Sequence, residues 1–313
     1  MSLTVNHVMS TNGLRSTIFD DIYWRFALDS GGGFVHAKSV APDQNAAIRH
    51  YYRPHLEWRL LSPAVVTVHH DPMDSYPWLA SKLFLPRWRS ADHVVCLNSR
   101  QQGFLAENAF FKTSVIPHGV DRQVFAVPKQ MKAVRSAPIR LGVISKRYDR
   151  GVKGEWRLKQ LIDTLNPRDF AFVFVGEGRS WDASLARARG FVVTCLESLP
   201  YHLFAGLYEQ LDYLLILSDF EGGPACLPEA LGSGVPVIAR PVGMVADYVI
   251  HEGNGILLDE ESWIDQIVLL ASDDALRFKL NTGAFLGAAS VPCWGEVMQR
   301  YADVYRLVLG AGK

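Results

Sequence analysis

The sequence is poor in cysteine, and its few cysteines are widely separated. Cys96, Cys195, Cys226 and Cys293 are the only four among 313 residues, and no two of them form a Cys-x-x-Cys pair. This spacing argues against a zinc knuckle and against a disulfide framework, and it is typical of a reducing compartment. The sequence therefore predicts a cytoplasmic protein without a structural metal.

Long apolar runs and an excess of one charge are also missing. No uninterrupted apolar run approaches about 18 residues, and the N-terminus lacks a basic segment followed by an apolar one, so we expect neither a membrane span nor an export signal. Lysine plus arginine number 32, and aspartate plus glutamate also number 32. This balance gives no electrostatic support for binding to a nucleic acid.

Short β-rich segments alternate with helical patterns along the whole chain, as is typical of parallel α/β architecture. The alternation begins twice, on either side of a polar segment that contains two prolines. We therefore predict an α/β fold of two Rossmann-like domains whose parallel sheets face a central cleft. The predicted divisions are residues 1–128, a linker at 129–138, residues 139–291, and a C-terminal amphipathic helix at 292–313.

The segment SDFEGGPACLPEALGSGVPVIA, residues 218–239, carries the side chains most suited to chemistry. It follows a predicted buried strand, and ligands of open α/β sheets bind beyond the carboxyl ends of strands. Gly222 and Gly223 would let a ligand approach the backbone, and the short helix predicted next would direct N–H groups at a phosphate. Taken alone, the carboxylates of Glu221 and Glu229 are more typical of solvated surface charges.

This segment and its continuation resemble the signature of glycosyltransferase family 4, the group 1 glycosyltransferases of GT-B fold. That signature has two glutamates separated by seven residues, a small-residue helix end, a Pro-Val-Ile-Ala-like strand and a glycine-bearing loop. The stretch TSVIPHGVDRQVF is similar to the turn that closes the family's first domain, with His118 where asparagine is more usual. Within the signature the match runs through Glu221, Gly222, Leu227, Glu229, Ala230, Gly234, Pro236, Val237, Ile238, Gly243 and Gly255.

The resemblance implies a retaining, metal-independent glycosyltransferase that needs no cofactor. Such an enzyme would move a sugar from a nucleoside diphosphate sugar, such as a UDP- or GDP-sugar, to a hydroxyl of a glycan, a lipid-linked or a small-molecule acceptor. Residues 1–128 would then form a short acceptor-side domain, and residues 139–291 would bind the nucleotide sugar. The helix at 292–313 would cross back to the first domain, as it does in GT-B enzymes.

The resemblance also assigns roles to individual side chains. Glu221 would contact hydroxyls of the donor sugar, and Glu229 would contact the ribose. Lys153 matches the lysine that holds the donor diphosphate, and its cationic partner is either Lys146 or Arg147, with Arg147 favoured. Two cations can stabilise a departing nucleoside diphosphate without a metal. Backbone contacts with the donor are expected from Gly222, Gly223, Ala225, Cys226 and Leu227.

Two features of the first half are weaker matches. His69 and His70 end a strand where the family often has a histidine facing the donor sugar, and only one of two adjacent residues is expected to enter the cleft. His69 is the better positional match, although a histidine beside Asp71 is more typical of a structural pair. Of the family's glycine-rich phosphate turn this chain keeps only Gly13, with Arg15 as a compensating cation.

Other function classes compete with this interpretation. A phosphate turn with a single glycine is consistent with a catalytically weak family member that binds a nucleotide sugar or glycan as a subunit or sensor. An NAD-linked oxidoreductase is disfavoured, because Gly176 and Gly178 lack the third glycine of its fingerprint. Residues 78–93 interleave aromatic and basic side chains, which can make a weak peripheral contact with anionic lipid headgroups. A packed helix with solvated arginines, interrupted by Pro86, is the favoured alternative there.

Overall fold

A computed structural model of the protein describes residues 3–9, 17–28, 33–135 and 138–310. The chain divides into two compact units, one of Met1–Gly119 with Cys293–Lys313 and the other of Val120–Pro292. The segment expected to be a linker, residues 129–138, falls within the second unit, and the C-terminal helix is grouped with the first.

The strands form one parallel sheet in each unit. In chain order they are β1 Leu3–Val8, β2 Phe34–Ser39, β3 Ile48–Tyr51, β4 Ala64–Val68, β5 His93–Cys96, β6 Thr113–Val115, β7 Ile139–Ile144, β8 Phe170–Val175, β9 Val192–Leu196, β10 Tyr213–Ile216, β11 Val237–Ala239 and β12 Gly255–Leu257. Over the described ranges these give two six-stranded sheets, ordered β2-β1-β3-β4-β5-β6 and β12-β11-β10-β7-β8-β9. All the strand pairs are parallel. The predicted α/β fold with two Rossmann-like parallel sheets is confirmed, and β12 is the strand that the sequence pattern did not predict.

Helices connect the strands. They are α1 Ile18–Leu28, α2 Ser81–Arg89, α3 Ser99–Glu107, α4 Glu155–Thr164, α5 Ser180–Ala188, α6 Phe204–Gln210, α7 Cys226–Gly232, α8 Val245–Tyr248, α9 Trp263–Val268, α10 Asp274–Gly287 and α11 Trp294–Gly310. The N-cap of α3 is Asn98, whose side chain accepts from the Gln101 N–H at 2.9 Å, and Ser99 is the first residue of the helix. None of the helices in the described ranges is long and apolar enough to cross a membrane.

The first sheet has an apolar core on each face. Successive residues of a strand point to opposite faces, so Val65 of β4 packs with α1 and α11 while Val66 packs with α2 and α3. The helix α11 buries Val297, Tyr301, Val304, Tyr305 and Val308, as the three- and four-residue spacing predicts. This helix therefore completes one of the two cores of the first unit.

The second sheet is buried on both faces. Every residue of β8 is buried, as is typical of a parallel strand covered by helices on both sides. The strands β7 and β10 are neighbours and run in the same direction. The segments that follow them therefore leave the sheet at the same edge, and these segments carry most of the candidate site.

Candidate active site

The loops after β7 and β10 contact each other closely. The Asp219 N–H donates to the Val152 carbonyl at 2.9 Å. Gly154 has a φ of +77°, and a Cβ there would lie 2.1 Å from the Leu217 carbonyl oxygen. Only glycine combines this backbone conformation with so close an approach. Gly154 therefore fixes the preceding residue, Lys153, against the loop that carries Glu221.

Lys153 and Glu221 form a partly buried ion pair. The lysine Nζ donates to Oε1 of Glu221 at 2.6 Å, and the hydroxyl of Ser218 donates to the same oxygen at 2.7 Å. The two side chains are only 19% and 9% exposed. Burial lowers the pKa of Lys153, but the Glu221 carboxylate outweighs it, so this pKa lies above its ordinary value. The structure thus brings together two of the predicted site residues in one ion pair.

Glu229 lies on α7 and is 8% exposed. The hydroxyl of Tyr208 donates to its Oε2 at 2.9 Å. Tyr208 is fully buried on α6, and burial together with the Glu229 carboxylate raises its pKa well above the ordinary value. Sequence reasoning missed Tyr208, because a tyrosine in a short helix pattern gives no signal of a contact 21 positions away.

The backbone between the two glutamates is held by a neighbouring turn. The Gly222 carbonyl accepts from the Met244 N–H at 3.2 Å. Gly243 has a φ of +51°, and a Cβ there would lie 2.3 Å from the Glu221 carbonyl oxygen. The turn can approach this loop so closely because Gly243 has no side chain. This contact gives a physical reason for one glycine of the signature.

Of the residues expected to line the donor by their backbone, Leu227 is fully buried, whereas Gly223, Ala225 and Cys226 are partly exposed. Burial raises the pKa of the Cys226 thiol, and the carboxylates of Glu229 and Glu221 raise it further. A thiol in this environment stays protonated and is a poor nucleophile. We therefore assign no nucleophilic chemistry to Cys226.

The two candidates for a second cation each lie beside a carboxylate, and the two carboxylates differ in exposure. The Nζ of Lys146 lies 3.0 Å from Oε2 of Glu177, and the Nε of Arg147 lies 3.5 Å from Oδ1 of Asp182. The pair of Lys146 with Glu177 is exposed, and such a pair is worth at most about 1 kcal/mol. Lys146 can therefore exchange its partner for another anion at little cost, whereas the partner of Arg147 is a buried carboxylate that also accepts from Arg179.

Arg179 organises the end of β7 and is a second residue that sequence reasoning missed. It is fully buried, and its guanidinium donates to the Ser145 carbonyl at 2.9 Å, to the Ser145 hydroxyl at 2.8 Å and to Oδ2 of Asp182 at 2.8 Å. Gly176 packs on the same residue, since a Cβ there would lie 2.4 Å from the Ser145 carbonyl oxygen. The glycine that suggested a partial dinucleotide fingerprint thus serves packing between strands.

In the first unit, His69 and His70 pack toward different cores. His69 stacks on Tyr52 with ring centroids 5.2 Å apart, and Tyr52 belongs to the core beneath α1 and α11. His70 lies 4.2 Å from the ring of Phe84, in the core beneath α2. Burial lowers the pKa of both imidazoles, that of His70 to about 4. Both histidines are therefore neutral near pH 7, and the two point to opposite faces.

Gly13 and Arg15, the remnants of the glycine-rich turn, lie outside the described residues. Within the described part of the chain, no group of three or more histidine, cysteine, aspartate or glutamate side chains is arranged to hold a metal ion.

Known proteins resemble this chain in sequence. Residues 140–273 match the family described as "Glycosyl transferases group 1". The Bacillus subtilis protein named "Putative teichuronic acid biosynthesis glycosyltransferase TuaC" is 28% identical over 248 residues, which cover 76% of this chain and 57% of that protein. The D-inositol 3-phosphate glycosyltransferase of Xylanimonas cellulosilytica is 26% identical over 211 residues, which cover 61% of this chain and 50% of that protein. The chain spans about half the length of these curated relatives.

Solved structures share the fold over nearly the whole chain. Sucrose-phosphate synthase (tll1590) from Thermosynechococcus elongatus has a TM-score of 0.75 at 14% identity, covering 99% of this chain and 100% of that one. Anabaena Alr3699/HepE, in complex with UDP and glucose, has a TM-score of 0.70 at 15% identity, covering 97% of this chain and 100% of that one. At such identities the likeness concerns the fold, and it confirms the GT-B fold. Residues 140–273 thus match the group 1 glycosyltransferase family, and the chain as a whole shares the fold of these structures.

Proposed function

We propose that the protein is a family 4 glycosyltransferase that transfers a sugar from a nucleoside diphosphate sugar to a hydroxyl acceptor. In this proposal the anomeric configuration is retained, neither a metal ion nor a cofactor is needed, and the reaction takes place in the cytoplasm. The observation that carries the proposal is the ion pair of Lys153 with Glu221 at the carboxyl edge of the second sheet. It supplies a cation for a phosphate and a carboxylate for sugar hydroxyls at one place.

Lys153 is suited to hold the donor diphosphate. Its pKa lies above the ordinary value, so the ammonium is charged throughout the physiological range. An ammonium that is only 19% exposed interacts with a phosphate more strongly than a solvated one would. Lys146, by releasing the exposed Glu177, or Arg147, by turning away from the buried Asp182, would supply the second cation. Negative charge that develops on the leaving nucleoside diphosphate would thus meet fixed positive charge.

The two glutamates would contact the two sugars of the donor. Both hydrogen bonds donated to the Glu221 side chain by described residues end on Oε1, so Oε2 is the oxygen we assign to a hydroxyl of the transferred sugar. Glu229, oriented by Tyr208, would accept from the ribose hydroxyls. Because the Glu221 side chain is engaged in an ion pair with Lys153, we do not assign Glu221 the role of covalent nucleophile. His69, neutral and at the end of β4, is the proposed contact of the first unit with the donor sugar or acceptor.

The first test is a thermal-shift panel of UDP-, GDP-, ADP- and dTDP-sugars, each with and without EDTA. A donor that binds the folded state stabilises it, by about 2.7 kcal/mol at a concentration one hundred times its Kd. The melting temperature rises as a result. UDP-glucose is the first probe, because the HepE structure holds UDP and glucose. A shift that survives EDTA supports the proposal, whereas a panel without any shift contradicts it.

The second test uses the glutamates. Glu229→Gln should weaken nucleotide binding by about 1.5–3 kcal/mol, the range for a lost hydrogen bond to a charged group. Glu221→Gln should lower the rate of donor turnover. Glu261→Gln, on an exposed loop of the same unit, is the matched control and should change neither quantity. Unchanged nucleotide affinity in Glu229→Gln, measured by calorimetry, would refute the ribose contact. Donor binding with no transfer or hydrolysis would instead indicate a binding protein.

A further inference from the structure

The first unit carries an exposed patch of aromatic and basic side chains around α2. Trp58 is 90% exposed and Trp78 is 75% exposed. We define the α2 patch as these two tryptophans with Leu83, Arg59, Lys82 and Arg89, all of which are exposed. Single exposed apolar side chains are ordinary, whereas several of them grouped around one helix can mark a surface that is used.

The patch is built on the outer side of a helix whose inner side is fully packed. On α2, Phe84 and Trp88 are buried, whereas Lys82, Leu83 and Arg89 point outward. The favoured expectation of a packed helix is thus met by the inner face alone. The outer side thus carries one apolar side chain and two cations.

Specific contacts hold the turn before Trp58 against this helix. The ring of His55 lies 4.2 Å from that of Phe84, and the Nε of Arg87 donates to the Glu57 carbonyl at 2.7 Å. The turn at 54–57 is therefore fixed against α2, and Trp58 follows it directly. Trp78 lies in the turn that leads into α2 from the other end. The two tryptophans consequently flank the same helix.

The charge of the α2 patch is positive. Its exposed ionisable side chains are Arg59, Lys82 and Arg89, and none of the three forms an ion pair with a described residue. The nearby acids are less exposed, since Asp74 is buried and Glu57 is half-buried. Unpaired cations beside exposed indoles are the composition that favours an anionic lipid surface.

We infer that the α2 patch docks the first unit on an anionic membrane surface. Indole rings partition to the boundary between headgroups and acyl chains, because they combine a large apolar area with an N–H donor. The three cations would lie at the level of the lipid phosphates, with their aliphatic stems along the apolar boundary. The protein would lie on the membrane, in agreement with the finding that none of the described helices can span one. This inference concerns the first unit and does not depend on the donor site of the second.

The test is flotation of the whole protein with vesicles of phosphatidylcholine alone and of phosphatidylcholine mixed with phosphatidylglycerol. We expect binding to the mixed vesicles, weakened by salt, and little binding to the neutral ones. Lys82→Glu with Arg89→Glu should lower the partition coefficient by more than about 25-fold, at about fivefold for each cation removed. Trp58→Ser with Trp78→Ser should also lower it, and tryptophan emission of the wild type should shift to the blue on binding.

Matched controls come from the second unit. Lys129→Glu with Arg168→Glu makes the same change in net charge at exposed positions, and Trp181→Ser removes an indole that is 76% exposed. These variants should bind like the wild type. Absence of binding, equal binding to neutral vesicles, or equal loss in the controls would overturn the inference. So would light scattering that shows a dimer which the Trp58 and Trp78 substitutions dissociate, because a second copy of the chain would then cover the patch.

Discussion

Tyr208→Phe removes a single hydroxyl, and its consequences follow from two contacts. That hydroxyl donates to Oε2 of Glu229 at 2.9 Å and to the Cys226 carbonyl at 3.3 Å, in a place where Tyr208 is fully buried. The substitution leaves the ring and its packing unchanged. It also removes one donor from a carboxylate that is itself only 8% exposed. The change therefore tests whether Glu229 is held in place before any ligand arrives.

The magnitude can be worked from this geometry. A hydrogen bond to a charged group contributes about 1.5–3 kcal/mol to stability, and its loss should lower the free energy of unfolding by that amount. For a protein of this size each kcal/mol corresponds to roughly 2–4 °C in the melting temperature. Freeing a side chain that must be ordered again on binding costs about 0.5–1.5 kcal/mol, so the Kd for the nucleotide should rise about 2- to 13-fold.

Tyr213→Phe is the matched control. Tyr213 is also buried in the second unit, and its hydroxyl has no hydrogen-bond partner among the described residues. Removing an unpaired buried hydroxyl should be neutral or stabilising, which is the opposite of the effect at Tyr208. Calorimetric titration with nucleotide and thermal unfolding compare the two variants. If Tyr208→Phe binds nucleotide as tightly as the wild type and melts no earlier than Tyr213→Phe, the positioning role of Tyr208 is wrong.

Three further predictions test other parts of the molecule. Gly154→Ala should lower the free energy of unfolding by about 2–5 kcal/mol, and the control Gly151→Ala should lower it by about 1 kcal/mol. Both glycines have a positive φ, but only at Gly154 would the added Cβ clash with the backbone. Urea unfolding measures both variants. Ser218→Ala should slow donor turnover, because it removes one of two donors on Glu221, and rescue by Ser218→Thr would separate this from misfolding. Burial, with the nearby His36, lowers the pKa of His50 to about 3, so the unfolded chain binds the extra proton below pH 6.5. His50 should therefore contribute a fall of about 1.4 kcal/mol per pH unit to the free energy of unfolding on acidification, and the slope should be shallower by about that amount in His50→Asn.

The fold and the chemistry-bearing segment were accessible from the sequence for identifiable reasons. Strands that are buried on both faces leave continuous apolar runs, and β8 and β10 are therefore visible without a structure. The two glycines and two glutamates at 221–229 stand out because a buried strand ends just before them. Spacing along one chain segment was sufficient for these features.

What the sequence could not supply were contacts between segments that are far apart in the chain. Lys153 and Glu221 are separated by 68 positions, Tyr208 and Glu229 by 21, and Arg179 and Ser145 by 34. No periodicity links such residues, because their approach depends on the order of the strands in the sheet. The strand β12 was missed for a related reason: three residues that begin with glycine carry too little pattern to be recognised.

The ion pair of Lys153 and Glu221 also changes what a Glu221 variant can show. Burial alone would lower the pKa of Lys153, and the Glu221 carboxylate is what keeps this pKa above its ordinary value. Glu221→Gln would thus remove the proposed sugar contact. It would also lower the pKa of Lys153, the lysine proposed to hold the diphosphate. Near pH 7 the lysine should stay largely protonated, so turnover falls while donor binding persists. At alkaline pH the same variant should lose donor binding before the wild type does. A Glu221→Gln variant whose donor affinity follows the wild type at every pH would therefore show that the two side chains act independently.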